Sequence, residues 1–287
     1  FLKVRGATLH NLQGVACDIP LGALTVVTGV SGSGKSTLVH DVLYRQLEAR
    51  LHGEHSAKSH LGEAVGEADV SGAEWIQDVL LVDQSPIGRT PRSNPVTYIK
   101  AFDEIRELFA SQPLARQRKY TAATFSFNLA GGRCEECDGA GHVQVEMVFL
   151  ADVYVPCEAC DGRRFKREVL EVKIHGQSIH DVLQWTVEDA MTRFRHQPKL
   201  GTALWHLQQV GLGYLRLGQP ATTLSGGEAQ RLKIARELSS AGKRAGRKLY
   251  ILDEPTTGLH LDDVRVLMGV LDRLVDAGHT VLVIEHH

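Results

Sequence analysis

Gly29-Val30-Ser31-Gly32-Ser33-Gly34-Lys35-Ser36 follows directly on the β-branched run Ala23-Leu24-Thr25-Val26-Val27-Thr28. The octapeptide matches each fixed position of the phosphate-binding P-loop, and a strand before it with a helix after it is the context that motif requires. Glycines at 29, 32 and 34 let backbone N–H groups converge on phosphates, and the N-terminus of the following helix adds its partial positive charge. In such a cradle, which also includes Ser31 and Thr37, Lys35 reaches the β and γ phosphates and Ser36 ligates Mg²⁺. The predicted ligand is a magnesium nucleotide. The alternative, a glycine-rich turn with a chance lysine, explains fewer of the matched positions.

Working outward, Phe1 to Leu21 alternates and turns like a short antiparallel sheet, and Ile76 to Val82 reads as another strand. Helical spacing covers Asp103 to Ala110, Ile179 to Arg195 and Leu200 to Val210. The last third alternates again: a helix after Leu224, a strand at Lys248 to Leu252, a helix at Asp262 to Asp276 and a strand at Thr280 to Ile284. An open, mainly parallel sheet flanked by helices is the economical α/β fold.

The strand Lys248-Leu-Tyr-Ile-Leu-Asp253-Glu254 ends in two carboxylates. On its own such a pair is an ordinary helix-entry signal, because carboxylates favour helix N-termini. Beside a P-loop, the same pair places Asp253 to hold the Mg²⁺ shell and Glu254 to polarise a water.

Between about Tyr120 and Arg167 the α/β rhythm breaks into a stretch dense in Gly, Cys and Phe. Cys134-x-x-Cys137 and Cys157-x-x-Cys160 are separated by nineteen residues, and each pair is followed by Asp-Gly. That spacing fits a tetrathiolate Zn²⁺ site, whose full shell leaves no open position for water, so the metal is structural. His142 stands nearby and is read as a surface or turn residue, while His142 to Leu150 suggests a hairpin. Arg116, Arg118, Lys119, Arg133, Arg163, Arg164, Lys166 and Arg167 flank the module; they read either as phosphate neutralisers or as a solvated charged face.

Composition sets limits on these readings. The chain has 287 residues, 43% of them hydrophobic, enough for a full core with subsidiary modules. Its formal charge of -2 carries no general basic excess, so a nucleic-acid contact has to come from a local patch. With four of five cysteines in metal-type pairs and no apolar run of about 20 residues, a soluble, cytoplasmic setting without membrane contact is expected. Phe1 stands in mid-pattern, and the chain reads as trimmed at both ends.

Leu224-Ser225-Gly226-Gly227-Glu228 resembles the signature motif of ATP-binding cassette proteins. Its Ser225, Gly226 and Gly227 form a second anion-binding helix start, and a Ser-capped helix after a Gly-Gly turn is the plainer alternative. The resemblance implies that Gln84 is the Q-loop glutamine and His286 the switch histidine, catalytic together with Glu254. It also implies composite sites, in which the signature of one cassette closes over the P-loop nucleotide of another.

Three further segments make the likeness more specific. Asp83-Gln84-Ser85-Pro86-Ile87-Gly88-Arg89-Thr90-Pro91-Arg92-Ser93-Asn94-Pro95, the module opening Gly131-Gly132-Arg133, and Leu217-Gly218-Gln219-Pro220 are together similar to the UvrA family, as is Asp253-Glu254-Pro255-Thr256-Thr257-Gly258-Leu259-His260. The implied architecture is a P-loop cassette with an inserted helical signature region and a zinc-binding module. Residues 1–110 would be the first part of the ATP-binding core with a variable insertion at about 51–72, 111–175 the zinc module, 176–247 the signature region and 248–287 the second part of the core. The implied job is ATP-dependent recognition of damaged duplex DNA in nucleotide excision repair and loading of UvrB, with a second cassette and a UvrA dimer as partners. A UvrA-like cassette serving antibiotic resistance or another non-repair partner is the runner-up.

Overall fold

The computed structural model describes residues 1–53, 68–88, 90, 92–145, 153–241 and 246–286, without the side chains of 240 and 241. The chain forms two compact units, one of Phe1–Ser85 with Ser240–His287 and one of Pro86–Ser239.

The first unit holds the parallel sheet. Strands β3 (Leu24–Val27), β5 (Asp78–Val82), β8 (Lys248–Asp253) and β9 (Thr280–Ile284) lie in the order β3-β9-β8-β5, all parallel. Every residue of β9 is buried, as befits an inner strand of a sheet covered on both faces. On α11 (Leu261–Asp276), Leu267, Val270, Leu271 and Leu274 recur at helical spacing and are buried. A smaller antiparallel sheet of β1 (Leu2–Ala7), β2 (Val15–Ile19) and β4 (Asp69–Ser71) has β1 in its centre, as the alternation of the first twenty residues predicts.

The P-loop leads into α1 (Thr37–Tyr44), whose turns are of the wide π type, and α1 runs straight into α2 (Arg45–His52). Val39, Val42, Leu43 and Leu47 from this double helix share a core with Leu249, Ile251, Leu282 and Ile284 of the sheet. The ends of the 51–72 stretch therefore belong to regular elements, α2 and β4, while residues 54–67 lie outside the described residues.

In the second unit, α4 (Phe102–Ala110) buries Phe102, Ile105 and Phe109. Phe102 stacks on Phe127 with centroids 4.9 Å apart, Phe127 meets Phe165 edge-on at 6.2 Å, and Phe109 packs on Phe125 at 5.5 Å. Fully burying each such ring is worth roughly 1.5–3 kcal/mol, so this aromatic chain is the main anchor of the cysteine module.

The single helix expected over Ile179 to Arg195 is in fact two, α7 (Ile179–Gln184) and α8 (Val187–Arg193). Thr186 and Asp189 form a reciprocal capping box that starts a new helix, and Trp185 before it is extended. Local capping chemistry outweighs apolar periodicity here. Helix α9 (Pro198–Gln209) packs against α8, and α10 (Gly226–Ala241) starts at the expected place after Leu224.

Candidate functional site

The C-terminal ends of the parallel strands gather the first set of candidate residues. Gly29, Gly32 and Gly34 all have positive φ, the conformation that lets successive N–H groups face inward. Gly34 also has no room for a side chain: a Cβ there would sit 2.8 Å from Leu12 Cδ2 and 3.0 Å from Asn11 Oδ1. Asn11 Nδ2 donates to Gly32 O at 2.8 Å, bracing the loop from β1's hairpin. Lys35, buried, turns its Nζ back onto Gly29 O at 2.7 Å and Val30 O at 3.0 Å. Ser31, Ser36 and Thr37 occupy the same loop and helix start.

Strand β8 carries the acidic pair to the same edge. Desolvation by burial pushes the Asp253 carboxyl up, His40 opposes it, and the charges of Glu254, Asp83 and Glu285 push it up further. His40 Nε2 lies 3.8 Å from Asp253 Oδ2. A half-buried carboxylate with other carboxylates around it favours a nearby cation.

Glu254 has φ +47, uncommon for a residue with a side chain, and its N–H donates to Ile284 O at 2.9 Å. Its Oε1 is 2.7 Å from His286 Nε2, and Thr257 Oγ1 lies 3.4 Å from its Oε2. Gln84 Nε2 reaches Glu254 O at 3.4 Å. Thus Gln84, Glu254 and His286, far apart in sequence, meet at one point.

Ser225, Gly226 and Gly227 lie in the other unit, at the start of α10. Ser225 N and Oγ donate to Glu228 Oε2 at 2.7 and 3.0 Å, and Glu228 N donates back to Ser225 Oγ at 3.3 Å. Tyr214 OH donates to Glu228 Oε1 at 2.6 Å. Burial raises the Glu228 carboxyl, but these hydrogen bonds outweigh it and hold the group below its ordinary value. This tyrosine brace had no motif to announce it.

The four cysteines converge. Their sulfurs all lie within 4.8 Å of one another and all four residues are buried. Cys134 Sγ to Cys157 Sγ is 4.0 Å and Cys137 Sγ to Cys160 Sγ 3.7 Å. A tetrahedral shell with metal–sulfur bonds of about 2.3 Å has sulfur–sulfur edges of about 3.8 Å, so the cluster fits a zinc-type ion. The two knuckles repeat one another. Asp138-Gly139 and Asp161-Gly162 each have two successive positive φ values, Gly139 N donates to Cys134 O, and Gly162 N donates to Cys157 O. The neck is closed by Cys134 N to Arg164 O and Lys166 N to Gly132 O. His142 opens β6 (His142–Val145), which pairs antiparallel with β7 (Val153–Pro156), beyond the stretch His142 to Leu150 where a hairpin is expected; residues 146–152 between them lie outside the described residues.

The flanking cations divide into groups. Arg133 pairs with Asp138 at 2.5 Å, Lys166 with Glu135 at 2.5 Å, Arg163 with Asp161 at 3.2 Å, and Arg118 with Glu171. Arg164 is only 7% exposed and lies over the Phe127 ring, 5.1 Å from its centroid, with Nη2 donating to Gly218 O at 3.4 Å. Its role is structural, which removes it from the phosphate-neutralising set. Arg116, Lys119 and Arg167 are exposed.

A glycine-rich phosphate cradle, an acidic strand end with its histidine, and a serine-capped Gly-Gly helix start define a P-loop ATP-binding cassette. A sequence profile described as "ABC transporter" matches residues 141–257. UvrABC system protein A of Methanothermobacter thermautotrophicus is 56% identical over 287 residues, and that of Thermus thermophilus 58%; each alignment covers 100% of this chain and 29% of the relative. The crystal structure of UvrA2 from Deinococcus radiodurans superposes with a TM-score of 0.88 at 49% identity, covering 100% of this chain and 33% of that one. The chain is thus similar over its whole length to proteins named UvrABC system protein A, and it spans less than a third of the length of these curated relatives. No described helix is long and apolar enough to cross a membrane.

Proposed function

We propose that this chain is an ATP-hydrolysing cassette of a cytoplasmic DNA damage-recognition protein in nucleotide excision repair. The reading rests on the contact between Glu254 and His286 beside the P-loop, in a chain more than half identical to proteins named UvrABC system protein A.

In this mechanism Lys35 leaves the Gly29 and Val30 carbonyls for the β and γ phosphates of ATP. Ser36 and Asp253 would hold Mg²⁺, whose charge would offset that developing on the phosphoryl oxygens. Glu254 takes the proton of the attacking water, His286 fixes its carboxylate, and Gln84 orients the water. Ser225 with Gly226 and Gly227, offered to the γ phosphate of a second cassette, completes that partner's site, so hydrolysis needs paired cassettes. ATP draws the cassettes together and hydrolysis releases them, changing the grip of the attached modules on DNA.

The cysteine module, braced by Zn²⁺, is the DNA-contacting part, with damaged duplex DNA and UvrB as the partners. Distortion of the duplex, rather than base identity, is what such a clamp reads. Residues 111–175 serve as this module and 176–247 as the signature region.

The deciding experiment is the ATPase rate against protein concentration, with undamaged and UV-damaged duplex at fixed salt. A rate per molecule that rises with concentration and responds to damaged DNA is expected. Turnover indifferent to both DNAs would reject the repair reading.

A further inference from the structure

Glu285 belongs to no motif discussed above, yet it occupies the junction of the three strands that build the nucleotide site. It follows β9 directly, is 9% exposed, and its N–H donates to Val27 O at 3.0 Å, at the point where β3 hands over to the P-loop. Its carboxylate points the other way along the chain. Oε1 accepts from Thr256 N at 3.0 Å and from Thr256 Oγ1 at 2.6 Å.

Thr256 sits two residues beyond Glu254. The intervening turn is tight, with Thr257 N donating to Glu254 O at 3.1 Å, and it is entered through the left-handed backbone of Glu254. Such a conformation in a residue with a side chain persists only where its surroundings over-determine it. On one side Glu254 is fixed by Ile284 O, the residue before Glu285. On the other side the double hydrogen bond from Thr256 to Glu285 closes the turn. Just beyond β9, His286 reaches the Glu254 carboxylate while its neighbour Glu285 reaches Thr256.

We propose that Glu285 is a positioning residue for hydrolysis: by clasping Thr256 it holds the Glu254 turn in the shape that presents the carboxylate to His286. This inference rests on Glu254 being the base, as proposed above. Hydrogen bonds onto a carboxylate are stronger than neutral ones, and Thr256 supplies both donors to the one oxygen, Oε1. The carboxylate also ties the turn to the strand that leads into the P-loop, so nucleotide cradle and base share one support.

The test compares Glu285→Leu, Thr256→Val and Thr256→Ser in the intact protein. Glu285→Leu and Thr256→Val are expected to lower kcat about tenfold or more with KM for ATP and melting temperature little changed, and Thr256→Ser, which keeps both donors, to restore it. Amide hydrogen exchange supplies a readout independent of turnover: exchange at Thr256 and Thr257 should accelerate at least about tenfold in Glu285→Leu and stay at the wild-type rate in Lys35→Ala. Unchanged exchange in Glu285→Leu overturns the clasp, as does wild-type kcat in a hydrolysing protein carrying Thr256→Val. Should the wild type bind ATP without hydrolysing it, the ATPase reading fails, and the exchange rates alone then decide whether Glu285 holds the turn.

Discussion

His286 Nε2 and Glu254 Oε1 are 2.7 Å apart although 32 positions separate them in the chain. The contact exists because β8 and β9 are parallel neighbours, with Asp253 paired to Ile284, so the residues just beyond each strand arrive at the same height. In this arrangement the histidine Nε2 lies within hydrogen-bond reach of the carboxylate.

Glu254→Gln is expected to lower ATP turnover by about 10²–10⁴, the usual range for loss of a general base, while nucleotide still binds. His286→Ala should reduce turnover by less, because the carboxylate remains. Steady-state phosphate release together with a fluorescent-nucleotide titration separates the two effects, and a Glu254→Gln protein with normal turnover would reject the assignment.

Lys35→Ala should weaken ATP binding by about a hundredfold or more, since hydrogen bonds to charged groups are worth about 1.5–3 kcal/mol each. Calorimetric titration checks it; wild-type affinity would show that the nucleotide sits elsewhere.

Replacing Cys134 and Cys157 together by Ser should abolish zinc binding and disorder the β6–β7 module, with the parallel-sheet unit still folded. Metal analysis and exchange mapping report both. In the metal-free protein, burial pushes the Cys160 thiol up to about 12, opposed by the Arg164 N–H and reinforced by Cys137 and Cys157. Metal uptake near neutral pH must therefore release protons, and zinc affinity should rise as the pH is raised from 6 to 8. An affinity independent of pH would contradict the thiolate ligand set.

Glu228 gives a pH dependence of the opposite kind from a raised group. Its folded-state carboxyl lies below the ordinary value, so its contribution to the start of α10 is present above about pH 4.5 and is lost as the pH falls through the depressed folded value. Glu228→Gln should remove that acid-side dependence, read from the amide signals of Ser225 and Gly226 between pH 3 and 6. An unchanged acid profile would place the effect on another group.

Much of the cradle and the cysteine cluster was legible in the sequence, because both depend on short-range spacing: Gly29 to Ser36 must be contiguous to wrap a phosphate, and two Cys-x-x-Cys knuckles announce themselves. The parallel sheet was legible from apolar runs such as Thr280 to Ile284. What escaped reading depends on contacts between distant segments. Nothing local distinguishes Glu285 from any polar residue after a strand, or Tyr214 from a surface tyrosine. Arg164 reads like its neighbours Arg163 and Lys166, yet its positive φ turns it inward onto Phe127. The break at Trp185 could have been seen, since Thr186-x-x-Asp189 is a capping-box pattern, but the apolar spacing across it is equally good for one helix.

The paired neck of the metal module has a consequence for how this chain can change over generations. With Cys134 N bonded to Arg164 O, Lys166 N to Gly132 O and Cys157 N to Gly141 O, the way in and the way out of the module are laced to each other. The base of the module thus keeps its own hydrogen bonds whatever lies past the β6–β7 ladder. Insertions, deletions or an exchanged tip there leave the laced base undisturbed. The hairpin is a tool head on a fixed handle: changes confined to its tip are expected to leave the four-cysteine base intact.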